Sequence, residues 1–175
     1  NIQNQKLITQ KFGYHYQFTR NMLYVNQQNS PFLETALLSG VAATDWSWSS
    51  LFADFDQDGD QDLFISNGIP KRPNDLDFIK FISNDQIQKK LNNTKLVDKE
   101  ALQLMPSGKV RNYVFKGTKN LEFEDKTDRW ISNKKGVSGA TALGDLDNDG
   151  DIDLVVSNIN EEVSLYINQT DNLSN

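Results

Sequence analysis

Two stretches of the chain repeat one acidic pattern, Asp54-Phe-Asp-Gln-Asp-Gly-Asp-Gln-Asp62 and Asp145-Leu-Asp-Asn-Asp-Gly-Asp-Ile-Asp153, about 91 residues apart. Together they hold ten of the 24 Asp and Glu residues. The formal charge is −6, and without those ten carboxylates the remainder would be about +4. Acidity is therefore concentrated where a cation could neutralise it. The aspartates alternate at fixed spacing instead of forming a block, which separates them from an ordinary solvated acidic face. An acidic chain of this kind also gives no footprint for nucleic acid.

The repeat reaches beyond the loops. At the same offset Asn21 matches Asn112, Tyr24 matches Phe115, Phe32 matches Phe123, Ser47 matches Ser138, Leu63 matches Leu154, and Ser66-Asn67 match Ser157-Asn158. A third echo, Leu165-Tyr-Ile-Asn-Gln169, repeats Leu23-Tyr-Val-Asn-Gln27 at a shorter step. The difference in step predicts an insertion of roughly 40 residues inside an underlying repeat of about 50. The short β-branched and aromatic runs Met22 to Val25, Asp62 to Ser66, Asn112 to Phe115 and Asp153 to Ser157 read as strands. Short strands recurring at this period favour β-propeller blades over a sandwich.

The organisation expected is a first repeat region over 1–68 with its loop at 54–62, a partly helical insertion over 69–111, and a second repeat region over 112–175. The last contains the loop at 145–153 and the start of a further strand. In the insertion, Asn74-Asp-Leu-Asp-Phe-Ile-Lys-Phe-Ile82 offers a capping residue followed by apolar residues at helical spacing. Asp85 to Leu91 and Asp98 to Leu104 are further helical candidates, bounded by Pro70 and Pro73 before and Pro106 and Gly108 after.

Calcium takes six to eight oxygen ligands, and carboxylates at positions 1, 3 and 5 of a loop can wrap one ion. Asp54, Asp56, Asp58 and Asp62 would ligate a first Ca2+ by side chain, with Asp60 through its backbone carbonyl. Asp145, Asp147, Asp149 and Asp153, with Asp151 through its backbone, repeat the set for a second ion. Gly59 and Gly150 stand at position 6, where the backbone must turn sharply. Zinc and copper prefer nitrogen or sulfur, which these loops lack, and magnesium keeps several waters. An EF-hand would need a Glu at position 12, where Ile65 and Val156 stand. The ion would thus lock a turn between strands, a structural role.

These residues resemble the FG-GAP or VCBS repeats of integrin-like β-propellers, whose blades carry such aspartate loops. Tyr14 to Tyr24, Ala43 to Asp56 and Ile65 to Gly68 are similar to bacterial VCBS-repeat proteins related to cartilage acidic protein, many of which end in an ASPIC/UnbV segment. The resemblance implies a calcium-bearing propeller displayed outside the cell or on the outer membrane of Bacteroidetes-like bacteria, and it implies no reaction. Two to three repeats do not close a ring, so a partial propeller, a segment of a larger protein, is expected.

Other constellations are weaker. His15 is the single histidine, so a histidine metal site or triad has no second member. There is no cysteine, which removes disulfide and thiolate chemistry. No apolar run is long enough to span a bilayer, and the first residues carry neither an initiator Met nor a signal-peptide pattern, so a processed or partial chain is expected. Asn92-Asn-Thr94 and Asn168-Gln-Thr170 match glycosylation sequons of low specificity. Trp46 and Trp48 would share one face of a strand as a ligand platform, against the commoner role of filling the core between blades.

The function expected is non-enzymatic: a calcium-binding extracellular propeller segment that contacts a protein or glycan partner, with no nucleic acid. The alternatives are a propeller-type polysaccharide lyase or hydrolase, and a structural scaffold subunit of a larger surface assembly.

Overall fold

A strand forms where a run of β-branched or aromatic residues finds a partner edge. The computed structural model describes residues 9, 11–14, 18–84 and 102–170, and these are mainly antiparallel β-structure with a few short helices. By packing, the chain divides into Asn1–Ala43 and Thr44–Asn175. His15, Asp85 to Leu91 and the Asn92 sequon lie outside the described residues; of the candidate helix Asp98 to Leu104, residues 102–104 are described and are helical.

In the first unit β1 (Tyr24–Val25) pairs with β2 (Leu33–Glu34), Tyr24 facing Glu34. The Arg20 guanidinium lies 2.6 Å from the Glu34 carboxylate, which also accepts from the Ala36 amide at 2.9 Å. These contacts hold the Glu34 carboxyl down at a pKa of about 2, the arginine bond being the larger cause.

The second unit contains two larger sheets of related design, one of four strands and one of three. In the first, β3 (Ser47–Ala53) pairs with β4 (Asp62–Asn67). The chain then leaves through β5 (Ile69–Lys71), forms helix α1 (Leu76–Ile82), and returns through β6 (Ser107–Gly108). Because β5 and β6 pair with each other, the ends of the excursion are held together. The next strand, β7 (Tyr113–Gly117), can therefore lie directly beside β4, and β8 (Phe123–Asp125) completes the order β3-β4-β7-β8. Helix α1 starts where Asp75 accepts from the amides of Asp77 and Phe78 at 3.1 and 2.9 Å, satisfying two donors that the first turn leaves open.

A short helix α2 (Thr127–Trp130) leads to the second sheet, in which β9 (Ser138–Gly144), β10 (Asp153–Asn158) and β11 (Ser164–Tyr166) lie in the order β9-β10-β11. The repeat seen in the sequence is also a repeat of contacts. Ala53 faces Asp62 as Gly144 faces Asp153, and Ser47 donates to Asn67 Oδ1 at 2.8 Å as Ser138 does to Asn158 Oδ1 at 2.8 Å. The hairpin β1-β2 repeats β7-β8: Phe115 faces Asp125 as Tyr24 faces Glu34, and Arg111 pairs with Asp125 as Arg20 does with Glu34.

The core sits between the two sheets of the second unit. Phe64, Val114, Leu154 and Val156 are buried together, with Leu51, Phe55, Trp130, Ile131, Leu143 and Tyr166 packed around them. Each such side chain taken fully from water stabilises the fold by about 1.5–3 kcal/mol. Polar bonds tie the same faces, Ser49 to Thr141 at 2.6 Å and Ser66 to the Gly139 carbonyl at 2.7 Å. Among the described residues no helix is long and apolar enough to cross a membrane.

Candidate metal centre

Each acidic loop is the hairpin connection between the first two strands of its sheet, β3 to β4 and β9 to β10. The loops close through one set of bonds. At position 1, Asp54 accepts from the amides of Asp58 and Gly59 at 3.0 and 2.9 Å, and Asp145 accepts from Asp149 and Gly150, both at 3.1 Å. At position 5, Asp58 and Asp149 accept from the amides of Asp60 and Asp151. Gly59 and Gly150 have φ of 88° and 96°, a conformation that a Cβ would strain.

Position 9 fastens the loop to the sheet. The Asp62 carboxylate is fully buried and accepts from the amides of Phe55 and Gly117, both at 2.9 Å; Asp153, equally buried, accepts from Leu146 at 2.7 Å and Asn168 at 2.8 Å. The second donor in each case belongs to the third strand of the sheet or the residues just after it. At Gly117 the approach is so close that a Cβ would lie 2.1 Å from the Gln61 carbonyl oxygen. Burial pushes the Asp62 carboxyl up, against the two amide bonds that favour its charged form.

In the first loop one carboxylate oxygen from each of Asp54, Asp56 and Asp62 lies within 4.8 Å of the others, and in the second the same holds for Asp145, Asp147 and Asp149. Two buried oxygens, Asp56 Oδ1 and Asp151 Oδ1, have no hydrogen-bond partner among the described residues. A buried carboxylate oxygen without a donor is costly, and a hard cation is the group that would satisfy it. The donor set, oxygen only and anionic, fits calcium. Bound there, the ion would neutralise the cluster and tie the turn; Asp62 and Asp153 retain lone pairs beyond their amide bonds.

The loops differ in two respects. In the first, the Lys116 ammonium pairs with Asp56 and, at 2.6 Å, with Asp58, which drives the Asp58 carboxyl below its ordinary value and the lysine above its own. In the second, desolvation first and the neighbouring Asp149 and Asp153 charges next push the Asp147 carboxyl up. The Asp151 side chain is 1% exposed there; its Oδ2 accepts from the Thr170 amide at 3.1 Å, and burial raises its pKa. Its counterpart Asp60 is half-buried. Asp151 thus offers a buried side-chain oxygen at a position from which the spacing rule expects a backbone carbonyl.

Trp46 precedes β3 in a bend, and Trp48 sits at the bulge between Ser47 and Ser49, so simple strand alternation does not set their directions. They are 43% and 57% exposed, and the Trp48 indole donates to the Gly68 carbonyl at 2.6 Å. Sequence reasoning also missed Lys116, which approaches the first loop from 60 residues away. Comparison with protein-family models, curated proteins and solved structures finds no match.

Proposed function

We propose that this chain is a calcium-binding segment of an extracellular or cell-surface β-propeller of the FG-GAP/VCBS type, in which calcium is structural and the exposed surface contacts a protein or glycan partner. The observation that carries this reading is the duplicated loop: two hairpins, each with three carboxylates converging within 4.8 Å and one buried oxygen without a donor among the described residues. Five carboxylates gathered in so short a loop repel one another, and a divalent cation removes that repulsion. The repeated contacts of β1-β2 and β7-β8, and of β3-β4 and β9-β10, support a blade-like unit.

On this reading the loops have affinities on the order of 10⁻⁴ to 10⁻³ M, the range of extracellular modules. Such sites would fill outside a cell. Trp46 and Trp48 form the candidate contact surface, as exposed indoles offer flat apolar area and an N–H donor to a sugar ring or a peptide. The test is a binding screen of the chain against immobilised glycans and surface proteins, in calcium and in chelator, with Trp46→Ala alongside. A calcium-dependent signal lost in Trp46→Ala supports the reading. A partner that binds equally in chelator and in Trp46→Ala contradicts the assigned surface, and release of product from a polysaccharide contradicts the non-enzymatic role.

A further inference from the structure

The two loops share their closing bonds, yet they meet different residues of the third strand. The donors that fasten Asp62 and Asp153 are the amides of Gly117 and Asn168, so the residues immediately before them, Lys116 and Ile167, occupy equivalent places. One sheet presents an ammonium to its acidic loop. At the equivalent place in the other stands Ile167, which carries no charge.

We propose that Lys116 is a resident cation of the first loop that competes with calcium, so that the loop at 145–153 fills first and the loop at 54–62 fills only at higher calcium. This rests on the calcium reading above. Lys116 reaches Asp56 Oδ2 and Asp58 Oδ2 at once, and Glu124, which faces it across β7 and β8, is paired with Lys126 at 2.6 Å. Calcium entering the first loop must break both lysine contacts, whereas in the second no ammonium or guanidinium pairs with Asp145, Asp147 or Asp149 among the described residues. Among the described residues each loop has one buried oxygen without a donor, Asp56 Oδ1 in the first and Asp151 Oδ1 in the second, a sign of a cation at both, and it is the lysine pairing that sets the first apart.

Losing two partly exposed ion pairs weakens the first loop by about tenfold relative to the second. The first turn would then stay tied without calcium, by lysine, and calcium dependence would concentrate in the sheet β9-β10-β11.

The test is calorimetric titration of calcium into the metal-free chain. The chain as it stands should show two steps about tenfold apart, the tighter lost in Asp147→Asn and the weaker in Asp56→Asn. Lys116→Met should tighten the weaker step by about tenfold and leave the other unchanged. Ile167→Lys should weaken the tighter step by a similar factor, which keeps the idea testable if Lys116→Met does not fold. Two steps of equal affinity, or a first-loop constant indifferent to Lys116→Met, would overturn the proposal while leaving the calcium reading intact. No calcium uptake by any variant would overturn both.

Discussion

Replacing Asp62 by alanine separates the fastening of the loop from metal binding. The Asp62 carboxylate has no solvent exposure, and it accepts from the amides of Phe55 and Gly117, both at 2.9 Å. Truncation leaves two N–H groups without their acceptor, at about 1–3 kcal/mol each. Part of this is offset, because a carboxylate whose pKa burial has raised also carries a desolvation cost that disappears with it. A net loss of about 2–4 kcal/mol is expected. With an m-value of about 1–3 kcal/mol/M, the urea midpoint should fall by roughly 1–2 M.

All three tryptophans, Trp46, Trp48 and Trp130, belong to the Thr44–Asn175 unit, so their fluorescence reports its unfolding. The loss should persist in excess chelator, since the amide bonds do not depend on an ion. Asp62→Asn keeps one acceptor and should cost about half as much. A loss below about 1 kcal/mol in chelator, or one that appears only with calcium, would refute the fastening role.

Three further outcomes follow from particular contacts. Phe64→Ala empties a fully buried ring site in the cluster with Val114, Leu154 and Val156, and should cost about 3–5 kcal/mol by urea unfolding. Glu161, held at a pKa of about 2 by Lys109 first and Lys134 next, contributes stability that is complete above the unfolded value near 4.5 and is lost as pH falls toward 2. Asp62, Asp147 and Asp151 act in the opposite sense, since their raised values favour folding at acid pH and oppose it as pH rises through them. Comparing urea midpoints of Glu161→Gln and the unaltered chain at pH 5 and pH 2.5 isolates the first effect, which should vanish in the variant. Finally, Asp147→Ala should abolish the calcium shift of the second loop, whereas Asp60→Ala should change the first loop little; equal effects would contradict the ligand assignment.

The acidic loops could be read from the sequence because their ligand spacing and position-6 glycine are local, and the repeat showed because Ser47, Asn67, Ser138 and Asn158 make the same side-chain bond twice. The mainly β fold and helix α1 followed from similarly local signals: β-branched runs, and Asp75 ahead of Phe78 and Ile79. Strand β9 was harder to see, as Ser-Gly-Ala-Thr-Ala-Leu-Gly has weak strand preference and is held by pairing with β10 and bonds to the first sheet.

Long-range chemistry was not legible. Lys116 reaches Asp56 only because β5 and β6 close the excursion and bring β7 beside β4. Asp60 and Asp151 are the same residue at the same loop position, yet Asp151 is buried and accepts from the Thr170 amide, a contact that the loop pattern does not encode. The pairs Arg20 with Glu34 and Arg111 with Asp125 lie at the repeat offset, but the change from Glu to Asp hid them until the shared register placed them together.

The central claim, that the two aspartate loops bind calcium and so hold the fold, is tested most directly by thermal unfolding in calcium, in magnesium and in excess chelator. At a free concentration ten times its own dissociation constant, a site adds about 1.4 kcal/mol. Two filled sites should therefore raise Tm by about 5–10 °C. The account predicts that shift with calcium and much less with magnesium, which resists giving up its water. A Tm that is the same in calcium and in chelator would contradict it.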